Sequence, residues 1–366
     1  MWQPVTDAIR RNDHGSAMNV TLHGLATALA PHDLPQSLVQ DRAEAILGPR
    51  YPQFKRLLST FVQAGIERRR SVAPLAWFDD GAHGWQERNR IWHEGCAAMF
   101  AEAAEGALAD AGWAAGEVDA IVTVTSTGVA TPTFEAVAWG RMGFRQDVMR
   151  VPVFGLGCAG GASGLSIAAQ LAQGRPGSRV LLVVVEACTP SFRTDRLQKS
   201  DIIATVLFGD GAAAACLSTE GAGAITLAPG VQHIWPDTLA IMGWDVDDEG
   251  LGVIFDRSIP VFATAEMAGA RDAALRAMGR TLDEFDGMIC HPGGAKVITA
   301  LETAWELPEG TLDIERAVLR DNGNMSAPTV LFVLDAARRA GRTGRHLLCA
   351  LGPGFTASFV PVELAA

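Results

Sequence analysis

From residue 117 onward the chain spells one pattern twice. EVDAIVTVTSTG (117–128) is echoed 167 positions later by EFDGMICHPGGA (284–295). GCAGGASGLSIAAQLAQGRPGSRVLLVVV (157–185) is echoed 166 positions later by GNMSAPTVLFVLDAARRAGRTGRHLLCAL (323–351). FGDGAAAACLS (208–218) then pairs with LGPGFTASFVP (351–361). Each copy reads as an apolar strand, a turn of small residues, a helix, a buried apolar strand, a glycine turn and a last strand. Strands alternating with helices build an α/β fold whose sheets are covered on both faces. Two copies predict two pseudo-equivalent halves in a five-layered αβαβα arrangement, with a site between them. The halves are placed at 19–220 and 221–366, behind a flexible leader at 1–18. Between leader and repeat, 51–70 and 88–112 have helical spacing, the second stopping at Gly112, and GLATALAPHDLPQ (24–36) suggests a short strand and loop.

The remaining composition excludes several classes of function. A net charge of −11 leaves no basic stripe to neutralise phosphates, so nucleic acid is not a partner. The longest apolar runs, such as VLLVVV, are too short to cross a bilayer, and the first 17 residues lack the apolar core of a secretory signal. Six scattered cysteines, without a C-x-x-C pair, suit a reduced, cytoplasmic protein and offer no metal-binding spacing.

One motif points two ways. GLGCAG (155–160) is a G-x-G-x-x-G after an apolar run, and a second apolar run ends at Glu186. That is the pattern of a dinucleotide-binding turn in an NAD-dependent oxidoreductase. The same turn sets Cys158 at a helix start, where amides and dipole favour a thiolate. Gly155, Gly157, Gly160 and Gly161 allow a sharp bend there. The repeat favours the thiol, because Cys158 falls opposite Asn324, a polar amide that a dinucleotide loop does not need. His291 ends the strand FDGMIC and falls opposite Val124, beside Thr125, Ser126 and Thr127, so both strand ends face one crevice. Asn324 and Ser326 also read as helix caps, and Asp210 as an ordinary turn residue. Cysteine, histidine and asparagine together make a nucleophile, its partner and a pair of donors for a developing oxyanion or enolate. A thiolate–imidazolium pair, with the Cys158 pKa below that of a free thiol, is the expectation.

The stretches GLGCAGG, FGDGAAA, HPGGAK, GNMSAPTVLFVLD and GPG occur in the order of the chalcone-synthase-like family, and the chain resembles these type III polyketide synthases of the thiolase fold from about residue 19 to its end. GNMS and FGDG separate it from the carrier-protein-dependent synthases of the third type, a nearer alternative than the oxidoreductase. A silent scaffold of the same fold is disfavoured by the intact Cys/His/Asn set.

The resemblance implies that Cys158 carries the acyl chain while His291 and Asn324 assist decarboxylation. It implies that Phe208 is a gatekeeper ring, that Lys55, Arg56 and Lys296 bind coenzyme A, and that Ser126, Thr127, Thr131, Cys188, Ser191, Gly243, Val253 and Gly354 line or adjoin the cavity. Thr131 stands where the family often carries a methionine that crosses to a neighbouring subunit, so a homodimer is implied. The substrates would be an acyl-CoA starter and malonyl-CoA, with no metal or redox cofactor and no integral membrane contact. Thr131, Ser191 and Val253 leave space where plant relatives place bulk. The expected reaction is therefore iterative decarboxylative condensation on a fatty acyl starter, then cyclisation to an alkylpyrone or alkylresorcinol.

Overall fold

The computed structural model describes residues 19–51, 53–80, 83–193 and 198–366; the leader expectation lies outside them. Both copies of the repeat fold along the same path. In the first, the parallel strands Ala120–Val124, Met149–Val153 and Val180–Ala187 are followed by two antiparallel neighbours, Asp210–Ser218 and Val20–Leu29. In the second, Gly287–Cys290 runs parallel to Gly344–Gly352, which pairs antiparallel with Thr356–Leu364. The short strands Val231–Ile234 and Ile225–Leu227 complete this half. The first copy alone carries an extra edge strand, Met149–Val153. Ile225–Leu227 pairs with Val20–Leu29 as well as with Thr356–Leu364, so the two halves join in one ten-stranded sheet.

The layers follow from the two-residue period of a strand. All eight residues of VLLVVVEA (180–187) are buried. Val180, Leu182 and Val184 point into the central layer, whereas Leu181, Val183 and Val185 point outward under the long helix Trp85–Ala111. In the second half Leu348 and Ala350 join the central layer, and Leu347, Cys349 and Leu351 the opposite outer one. The central layer holds the two repeated helices, Gly160–Gly174 and Thr329–Arg339, and Ile259–Met278 and Ala295–Ala304 cover the far side. The αβαβα order is therefore observed.

Two local readings change. The 51–70 segment is not one helix but a 3₁₀ turn (Phe54–Leu57), a short helix (Leu58–Gln63) and a strand (Arg68–Ser71), since Gly65 at φ +69° reverses the chain. The stretch 24–36 ends the ten-residue strand Val20–Leu29 at the junction of the two halves and then forms a separate short strand, His32–Pro35, that pairs with Arg68–Ser71. The helix at 85–111 does stop at Gly112, at φ +67°. Among the described residues no helix is long and apolar enough to cross a membrane.

Candidate active site

The GLGCAG turn is closed from the opposite half. Gly157 sits at φ +45°, and a Cβ there would lie 2.6 Å from Pro353 Cδ. Gly352 packs in the same way, since its Cβ would lie 2.4 Å from the Leu156 carbonyl. The space a pyrophosphate needs is thus filled by Gly352–Pro353. The carboxylate of Glu186 is spent as well. It accepts bonds from the Thr125, Ser126 and Thr127 hydroxyls at 3.2, 2.9 and 2.7 Å and from Ser126 N–H at 3.0 Å. The oxidoreductase reading loses both of its supports.

Cys158 lies in a one-turn 3₁₀ segment, Gly157–Ala159, that leads into the helix Gly160–Gly174. Its Sγ is 3.6 Å from Ser326 Oγ and 4.0 Å from Asn324 Oδ1. Asn324 is set by its backbone. Its N–H donates to the Leu207 carbonyl at 2.8 Å, and its own carbonyl accepts from Gly209 N–H at 3.0 Å, so it brackets Phe208. Its Oδ1 accepts Ser326 N–H at 2.8 Å and its Nδ2 donates to the Gly293 carbonyl at 3.2 Å. It caps no helix; it shapes the turn in which Ser326 takes φ +61°, a conformation that non-glycine residues adopt under constraint. His291 follows the strand Gly287–Cys290, and its N–H donates to the Cys349 carbonyl at 2.8 Å. Both of its ring nitrogens are buried, with no hydrogen-bond partner among the described residues. Cys158, His291 and Asn324 border one small chamber, with Met242, Phe255 and Cys349 in its wall.

Burial works against the expected ion pair. Burial is the leading cause in both groups: it pushes the Cys158 thiol up to about 11 and the His291 imidazole down to about 3. Both are neutral at pH 7. Bonds to Ser326 and Asn324 pull the thiol down, but by less than desolvation raises it. Glu186 opposes them with its negative charge, and burial holds its own carboxyl up at about 7.

A second space of about 450 Å3 opens from Cys158 past Ser126, Thr127, Cys188, Phe208, Gly243, Val253 and Pro353. It shares Cys188, Phe208, Trp244 and Val253 with a larger, mostly apolar cavity of about 770 Å3, solvent at its mouth included. That cavity runs past Ser191, Phe192 and Leu75 to Val39, Arg42 and Ile46. Phe208 meets Phe255 edge-on at 6.1 Å. Its backbone is held by buried Arg69, which donates to the carbonyls of Thr205, Val206 and Phe208 at 2.6, 2.7 and 3.0 Å.

The structure thus gathers Cys158, His291, Asn324, Phe208, Ser126, Thr127, Cys188, Ser191, Gly243 and Val253 around connected spaces. Thr131 is exposed and lines no cavity described in its own chain. Gly354 lies just beyond Pro353 rather than in the wall, its carbonyl bonded to Thr238. Lys55, Arg56 and Lys296 are exposed and border none of these spaces. Asp210 is more than a turn residue. Fully buried, it accepts from Val72 and Thr189 N–H, each at 2.8 Å, and fixes the loop after Cys188. Sequence reading missed Trp244, Phe255 and Arg69, and took Ser326 only as a cap.

Known proteins resemble this chain along nearly its whole length. Residues 77–221 match the family model of the chalcone and stilbene synthases' N-terminal domain, and 226–362 that of their C-terminal domain. A 1,3,6,8-tetrahydroxynaphthalene synthase of Streptomyces peucetius subsp. caesius is 38% identical over 91% of this chain and 90% of its own. A putative chalcone synthase of Bacillus subtilis is 32% identical over 92% and 96%. The crystal structure of the tetrahydroxynaphthalene synthase from Streptomyces coelicolor A3(2) superposes with a TM-score of 0.88 at 25% identity, covering 94% of this chain and 99% of that one. CsyB complexed with CoA-SH superposes at 0.84 with 26% identity, covering 94% and 100%. Kinship along nearly the whole length places this chain in the chalcone and stilbene synthase family, as a type III polyketide synthase and hence an acyltransferase.

Proposed function

We propose that the enzyme extends a long-chain acyl-CoA starter with malonyl-CoA by iterative decarboxylative condensation and closes the product to an alkylpyrone or alkylresorcinol. Cys158 takes the acyl group as a thioester, breaking its bond to coenzyme A, and its proton passes by way of His291, whose ring nitrogens have no partner among the described residues, to the departing coenzyme A thiolate. Malonyl-CoA then loses CO2. The enolate oxygen that forms is held by His291 and the Asn324 amide while the bound substrate fills the chamber and displaces water from it. The enolate carbon attacks the Cys158 thioester, the bond to sulfur breaks and frees the Cys158 thiolate, and the lengthened acyl-CoA returns its chain to Cys158, releasing coenzyme A, for the next round. Exposed Lys55, Arg56 and Lys296 are the cations assigned to the coenzyme A phosphates.

The observation that supports a long starter is the apolar cavity behind Cys188, Phe208, Trp244 and Val253. Each buried methylene contributes about 0.8 kcal/mol. Four extra carbons therefore outweigh an aromatic starter's stacking gain of about 1 kcal/mol. Incubation with malonyl-CoA and acyl-CoAs of increasing length, read by mass spectrometry, should show turnover rising to starters of about eight carbons or more. Ser191→Leu, which narrows the cavity, should cut turnover of long starters and spare short ones. Preference for acetyl-CoA, or a Ser191→Leu variant with unchanged chain-length preference, refutes the reading. The relatives named for tetrahydroxynaphthalene favour one rival, an unalkylated polyhydroxynaphthalene made in the arm that holds malonyl-CoA alone.

A further inference from the structure

Of the five cysteines other than Cys158, two stand side by side. Cys290 and Cys349 are register partners on the parallel strands Gly287–Cys290 and Gly344–Gly352, and their sulfurs lie 3.6 Å apart. Both are buried free thiols. Adjacent strands run about 4.8 Å apart, inside the Cα separation of roughly 4.4–6.8 Å that a disulfide spans. Closing the sulfur gap to about 2.05 Å asks for a shift of roughly 1.5 Å shared between two side chains. Cys349 also borders the chamber that holds Cys158 and His291, so a small solute reaching Cys158 reaches the wall that Cys349 forms. Cys290 lies behind it, in the outer core, with its N–H on Glu315 Oε1 at 2.9 Å.

We propose that Cys290 and Cys349 are a reversible dithiol–disulfide site, oxidised by hydrogen peroxide that enters through the active-site chamber. The Cys349 sulfur attacks one peroxide oxygen, the O–O bond breaks, and water leaves as Cys349 becomes a sulfenic acid. The Cys290 sulfur then attacks the Cys349 sulfur, forming the S–S bond and expelling the sulfenic oxygen as a second water, with both thiol protons. The pair loses two electrons and the peroxide gains them. Cys290 has the retracted role because burial pushes its thiol well above the usual range. The bond forms one residue from His291, whose own N–H already rests on the Cys349 carbonyl. Oxidation therefore staples the strand end that carries the imidazole to the strand that leads into Gly352–Pro353.

The test uses the full chain, both as it is and as Cys158→Ala, which removes the competing active-site thiol. Each is exposed to a slight excess of hydrogen peroxide, alkylated in acid and digested with trypsin without reductant. The expected product joins peptide 281–296 to peptide 346–366, lighter than their sum by two hydrogen atoms, and dithiothreitol separates them again. Cys349→Ser should abolish the link and leave Cys290 as a free thiol. If that variant fails to fold, the linked peptide in the unsubstituted chain still decides. The proposal is overturned if Cys349 stays reduced, goes directly to sulfinic acid, or pairs with a cysteine other than Cys290.

Discussion

At the active site two groups that chemistry asks to be charged are held neutral by burial, the Cys158 thiol at about 11 and the His291 imidazole at about 3. A buried chamber penalises each charge separately, and a pair becomes worthwhile only when geometry brings the partners together. In the substrate-free enzyme, alkylation of Cys158 by iodoacetamide should therefore rise about tenfold per pH unit through the neutral range, without levelling off, because only the thiolate reacts. A plateau below pH 8 would mean that a standing ion pair exists after all. The condensation roles have their own test. Cys158→Ala should abolish product and keep some CO2 release from malonyl-CoA, whereas Asn324→Ala should depress both by roughly 100- to 1000-fold. Normal condensation by Asn324→Ala removes it from the mechanism. His291 and Asn324 were legible in the sequence because the repeat set them opposite Val124 and Cys158. Trp244, Phe255 and Arg69 were not, because nothing local in a tryptophan, phenylalanine or arginine says which cavity it will meet. The thiol's acidity was misread for a related reason: a helix start is visible in the sequence, but the degree of desolvation is not.

The elements that carry these residues are set by close contact between the two repeated helices. A Cβ on Gly161 would lie 2.3 Å from the Ala327 carbonyl and 2.8 Å from Val330 Cγ1 on the facing helix. The first obstacle is backbone and cannot swing aside. Gly161→Ala should thus push the loop carrying Asn324 and Ser326 away from Cys158, costing about 1–3 kcal/mol in denaturant unfolding, as overpacking does. Product formation should fall more than stability does. An unchanged unfolding midpoint would show that the helices can slide apart at no cost. The strands of this core were readable as unbroken apolar runs such as VLLVVV, since a sheet covered on both faces needs no alternation. The 51–70 segment was not readable as three pieces: its helical spacing persists through Gly65, and only the positive φ there reveals the reversal.

For the molecule as a whole, one end of the large sheet is the strand Met149–Val153, which has a neighbour on one side only among the described residues. Met149 is 54% exposed and Phe154 62%, and Val129, Val137 and Trp139 on nearby segments are exposed too. Arg150 and Pro152 guard the strand itself against edge pairing, but the cluster of exposed apolar side chains beside it invites cover by another chain. The homodimer proposed for this enzyme would cover it and would bring Thr131, exposed on the same stretch, to a neighbouring subunit. Phe154→Asp should shift the protein to monomer in light scattering after size exclusion; a variant still dimeric places the interface elsewhere. The opposite arrangement holds at the middle of the sheet, where Ile225–Leu227 is clasped between Val20–Leu29 and Thr356–Leu364. The first and last of the described strands thus meet across a three-residue segment from between them. More than 300 residues separate the strands that flank this seam, so its closure is a long-range contact of the kind slowest to find. Without Thr356–Leu364, Ile225–Leu227 would keep a partner on one side only, and each half would hold most of its own core beside an unshut seam.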